Sequence, residues 1–137
     1  MRDAAALARS AASLTGCRFR LHGRDPSTGL DCVGVVVASL RASDLPCQLP
    51  TGYQLRTGQW PDADSWATRN NFTAADGSCR PGDVLLMVSG PSQLHMAVVA
   101  MDPSWIVEAH AGLRKVVLSP LPDPAIIFRR WRLGAKG

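Results

Sequence analysis

The sequence of 137 residues contains no Cys-x-x-Cys pair, although it has cysteines at positions 17, 32, 47 and 79. A zinc ribbon or a thioredoxin-type redox site therefore lacks its spacing. Two disulfides are arithmetically possible, but a chain of this length does not need them. There is no run of about 18 apolar residues, so a membrane-spanning helix is excluded. There is no internal repeat and no low-complexity tract. The opening stretch "MRDAAALARSAASLTG" lacks the apolar centre of a secretory leader, because it is charged early and interrupted by Arg9. The expectation is synthesis in the cytoplasm, with any action beyond it requiring a carrier.

Charged residues make up 19% and apolar residues 46%, the balance of a globular chain rather than a disordered one. The length suits one domain spanning residues 1–137. The net charge of +4 favours an acidic polymer, an anionic lipid surface or a carboxylate-rich cell wall. Outside Arg129, Arg130 and Arg132 the basic residues are scattered, so no nucleic-acid stripe is expected.

A helix is predicted from about Arg2 to Leu14, stopped by Gly16. The run from Cys32 to about Ala42 is ambiguous, since "VGVVV" has strand propensity while eleven residues without alternation also fit a buried helix. Asp31 is a good N-cap and favours helix. Residues 44–81 are turn-rich, with a short helix expected near Ala63 to Arg69. That region reads equally well as a groove wall or as a packed connector. After "RPGD" the runs "VLLMVS", "LHMAVVAM", "WIVEAH", "RKVVLSPL" and "AIIFRRWRL" predict an antiparallel sheet of about five strands. Helices first and strands later give an α+β class. The tail "IIFRRWRLGAKG" reads as an ordinary last strand in preference to a docking edge.

Chemistry centres on Cys32. A nucleophilic cysteine needs its thiolate, and a helix N-terminus with a neighbouring imidazole favours it. His95 opens one strand-like run and His110 ends the next. Antiparallel pairing brings these two ends together, so one histidine can act as base and the other can orient it. Glu108 shares strand parity with His110. A buried glutamate there is costly without a partner, so either a bulge intervenes or Glu108 reaches solvent. A metal site built from His22, His95, His110 and Cys32 matches no short ligand motif.

The segments "GCRF" (Gly16 to Phe19), "GLDCVGVV" (Gly29 to Val36), "RPGDVLLM" (Arg80 to Met87), "LHMAVVAM" (Leu94 to Met101) and "IVEAHA" (Ile106 to Ala111) follow in that order. Over roughly residues 14 to 120 the pattern resembles the NlpC-like cell-wall cysteine peptidases, small relatives of the papain fold. The resemblance implies Cys32 as nucleophile, His95 as general base and His110 as the residue that orients it. It implies hydrolysis of amide bonds in peptidoglycan stem peptides, commonly between D-glutamate and a diamino acid, with no metal or organic cofactor. Phe19 stands where the family has tyrosine, and Val33 where it has serine. Both are expected at the substrate, with His22 and Asp31 compensating for the missing hydroxyls. Leaderless members of the family occur as tail-associated hydrolases of phage-like particles, so tail or baseplate proteins are expected partners beside peptidoglycan, with action at the cell wall. The alternatives are an amidase or acyltransferase on the same scaffold, and a non-catalytic tail or wall-binding module.

Overall fold

A computed structural model describes residues 2–91 and 93–134, apart from the side chains of Arg2 and Arg56. Helix α1 (Arg2–Ser13) buries Leu7, Ala8 and Ala11 along one face. Gly16, at φ 93°, turns the chain away after it. Residues 16–19 then run along the sheet. The Gly16 and Phe19 amides donate to the carbonyls of Val116 and Arg114 at 2.8 and 2.9 Å. A two-residue hairpin, β1 (Arg24–Asp25) with β2 (Gly29–Leu30), leads into helix α2 (Cys32–Ala42).

Helix α2 forms where strand propensity alone points elsewhere. Every residue from Val33 to Leu40 is buried, so tertiary packing overrides the modest cost of valine in a helix. An all-round apolar helix must be enclosed, and this one is. Its first turn is fixed by the Asp31 carboxylate, which accepts the Gly34 amide at 2.8 Å. Such a cap is worth about 1 kcal/mol. Helix α3 (Ala63–Arg69) forms as expected.

The sheet is six-stranded and antiparallel: β3 (Phe72–Ala74), β4 (Val84–Gly90), β5 (Gln93–Val99), β6 (Trp105–His110), β7 (Lys115–Pro120) and β8 (Ile127–Leu133). The spatial order is β3-β8-β4-β5-β6-β7. The strand beyond the expected five is β3, which the turn-rich middle contributes by pairing Phe72 with Leu133. Strand β8 therefore lies inside the sheet, between β3 and β4, and cannot be a docking edge. The last three residues of that tail lie outside the described residues.

Leu86, Met96, Val98 and Trp131 pack against the helices in the main core. Leu85, Ala97, Val99 and Ile106 form a smaller cluster from the alternate positions of the same strands. The basic residues of β8 serve the fold. Asp83 is fully buried and accepts from Arg130 at 3.2 Å and from Arg132 at 2.8 and 2.9 Å. Arg129 pairs with Asp64 at 3.2 Å. Gly82, just before Asp83, combines φ 84° with an approach to the Ala4 carbonyl that leaves no room for a Cβ. The Pro-Gly-Asp turn thus ties α1, β4 and β8 together.

Candidate active site

Cys32 is the first residue of α2 and lines a cleft of about 800 Å³. Its position depends on close backbone packing. A Cβ on Gly34 would collide with the Gly23 carbonyl, so the hairpin loop lies directly against the helix start. Asp31 holds the same junction with both oxygens: Oδ1 accepts Gly34 N–H and Arg24 Nη1 (2.7 Å), and Oδ2 accepts His22 N–H (2.9 Å). Its negative charge beside the thiol is thereby offset.

His95 shares this cleft with Cys32, close enough for the thiol to act on its imidazole. Its Nε2 donates to Glu108 Oε1 at 2.8 Å, which leaves Nδ1 for the thiol. Burial pushes the imidazole down. The hydrogen bonds with Cys32 and Glu108, and the charges of both, outweigh this and raise its pKa to about 10. The bond from His95 in turn holds Glu108 below the ordinary carboxylate range against the opposing effect of burial. The Ser119 side chain and the charges of His95 and His110 lower it further.

The hydrogen bond expected between His110 and His95 is made instead by Glu108. The β5–β6 ladder pairs Val98 with Val107 and Val99 with Ile106. Extending this register puts His110 opposite His95 and Glu108 one pleat away on the same face. The longer diagonal reach belongs to the glutamate, and diagonal neighbours are within range of long side chains. His110 is exposed, and its Nδ1 accepts the Leu113 amide at 3.0 Å. It lines the cleft without touching the His95 ring nitrogens. Glu108 therefore needs neither a bulge nor solvent, because its partner is His95. The available signal was that Glu108 is the only glutamate in the chain.

Of the residues expected at the substrate, Phe19, His22 and Asp31 line the cleft. Val33 does not. It is 1% exposed and packs in the main core, because one helical step past Cys32 turns its side chain away from the site. Tyr53, Gln54 and Leu55 also line the cleft, which sequence reasoning missed. The turn-rich middle thus divides in function. Its first part walls the cleft, while Trp60 and Trp66 are core. The four cysteines are unpaired. Among the described residues, no three His, Cys, Asp or Glu side chains converge as a metal cage, and no helix is long and apolar enough to cross a membrane.

No protein-family model matches the chain, and no curated protein matches it by sequence. Solved structures do match. An NlpC/P60 family protein from Bacillus cereus ATCC 10987 superposes with a TM-score of 0.65 at 19% identity, over 94% of this chain. NlpC2 from Trichomonas vaginalis gives 0.67 at 15% identity over 95% of this chain. The peptidoglycan hydrolase RipB from Mycobacterium tuberculosis gives 0.62 at 19% identity, over 98% of this chain and 66% of its own. The chain spans 39% and 48% of the first two proteins' lengths. The fold is that of NlpC/P60 domains, an α+β arrangement of the papain-like kind.

Proposed function

We propose that this chain is a cysteine peptidase that hydrolyses amide bonds in peptidoglycan stem peptides at the cell wall, of the D-glutamyl–diamino acid type. The observation that carries this reading is the alignment of Cys32, His95 and Glu108 at the start of α2, inside an open cleft. The name of RipB, a peptidoglycan hydrolase with the same fold, supports the substrate class.

The chemistry follows from the geometry. His95 takes the thiol proton, and Cys32 Sγ attacks the carbonyl carbon. The negative oxygen that develops lies beside the backbone N–H groups at the start of α2, where donors and the helix dipole favour it. The imidazolium is stabilised by Glu108 and gives its proton to the leaving amine as the C–N bond breaks. Water, deprotonated by His95, then hydrolyses the thioester and releases a carboxylic acid.

Mass spectrometry of purified peptidoglycan incubated with the protein tests the bond. Fragments ending in D-glutamate, with a new amino terminus on the diamino acid, are expected. Cleavage between the lactyl group and alanine would replace this reading with an amidase. Intact peptidoglycan would leave a wall-binding module.

A further inference from the structure

We propose that Tyr53 is a substrate-contacting hydroxyl of this cleft, set in place by Arg24, and that the group it takes is a carbonyl or carboxylate beside the scissile bond. The proposal deepens the peptidase reading and rests on it for the identity of the substrate.

Phe19 presents no hydroxyl to the cleft, and Val33 is buried behind it. Tyr53, the only tyrosine of the sequence, lines the same cleft as Cys32. Its ring is held by Trp60, with centroids 5.7 Å apart, and Trp60 in turn packs on Trp66 and Trp131. Arg24 Nη2 donates to Tyr53 Oη at 2.6 Å. A guanidinium has only donors, so the phenol oxygen must accept and its own hydrogen is left to donate. Among the described residues no hydrogen bond donated by this hydroxyl is found. Burial raises the Tyr53 pKa, against the nearby Arg24 charge, and the hydroxyl keeps its proton at neutral pH.

The charges nearby specify what the hydroxyl meets. Arg24 is a positioning residue that bridges two elements: its Nη1 bonds Asp31 and its Nη2 bonds Tyr53. Asp31 already accepts three hydrogen bonds. Glu108 is committed to His95. Both carboxylates are thus already engaged by donors of this chain, whereas the Tyr53 hydroxyl, backed by a guanidinium, has a hydrogen to offer an acceptor. A charged acceptor forms the stronger bond.

The test uses the full chain and two alkylating reagents of similar size, iodoacetate and neutral iodoacetamide. Both react at Cys32, so neither depends on the peptidoglycan reading. Tyr53→Phe and Arg24→Ala should each lower the iodoacetate-to-iodoacetamide rate ratio at Cys32 about fivefold, and Arg24→Lys should restore part of it. With intact stem peptides as substrate, Tyr53→Phe should raise KM while changing kcat little. An unchanged labelling ratio in Tyr53→Phe, with folding intact by circular dichroism, would overturn the proposal. If the ratio falls but wild type cleaves no peptidoglycan, the substrate assignment fails and the Tyr53 contact stands. If wild type cleaves peptidoglycan and the ratio is constant, the reverse holds.

Discussion

His95 Nε2 lies 2.8 Å from Glu108 Oε1, although continuing the Val98–Val107 register along β5 and β6 would set His110 across from His95. A diagonal partner therefore does the orienting, and it brings a full negative charge. A neutral residue in that place could fix the ring, but only a carboxylate also holds the proton on it.

This geometry separates two variants that strand position alone would confuse. A hydrogen bond to a charged group is worth about 1.5–3 kcal/mol. Glu108→Gln should lower kcat roughly ten- to a hundredfold, measured by release of peptide fragments under saturating substrate. His110→Ala should leave kcat near wild type. Equal losses in both variants would contradict the assignment of Glu108.

The same pair predicts a pH dependence of stability. His95 is raised from 6.5 to about 10, so its contribution is fully present below about pH 6.5 and is lost as the pH rises through about 10. Glu108 is lowered from 4.5, so its contribution is present above that value and is lost as the pH falls through its depressed pKa. Glu108→Gln should therefore cost most stability between roughly pH 4.5 and 6.5, with the difference shrinking toward pH 10. Melting temperatures of both proteins across this range check it. A difference that grows with pH would contradict the ion pair.

Asp83 makes a prediction about the scaffold. Removing its carboxylate leaves Arg130 and Arg132, largely buried, without their partner. Breaking such a cluster typically costs about 3–5 kcal/mol. Asp83→Ala should unfold at a clearly lower denaturant concentration, whereas Arg129→Ala, which breaks a more exposed pair, should change stability by less than about 1 kcal/mol. Chemical denaturation of both variants compares them.

Gly34 links the fold to the site. A methyl group there would meet the Gly23 carbonyl and push the hairpin loop off the helix start. Gly34→Ala should cost roughly 1–3 kcal/mol, as overpacking does. It should also slow alkylation of Cys32, because Asp31 and Arg24 are placed by the same contact. A fully stable variant with normal labelling would show that the loop does not need this approach.

Much of the site was legible because it depends on local signals. Asp31 before an apolar run marked the cap, and with it the helix that carries Cys32. The Pro-Gly-Asp turn and two histidines at matching strand ends placed the strands that line the cleft. What escaped depends on geometry that sequence spacing does not carry. Glu108 and His110 share one face, and side-chain reach across the folded sheet, which spacing does not carry, decides which of them meets His95. Val33 adjoins Cys32 in sequence, but the helical turn sends it into the core. Tyr53 reaches the cleft from a segment with no periodicity, anchored on nearby Trp60 and through it on Trp66 and Trp131. The short strand Phe72–Ala74 is recognisable only through its pairing with β8.

The nucleophile is the centre of the account, and it can be tested with two proteins and one substrate. Wild type and Cys32→Ala are incubated with the same peptidoglycan, and the soluble peptides are identified by mass spectrometry. The account predicts stem-peptide fragments from wild type and none from Cys32→Ala. Fragments released equally by both proteins would contradict it.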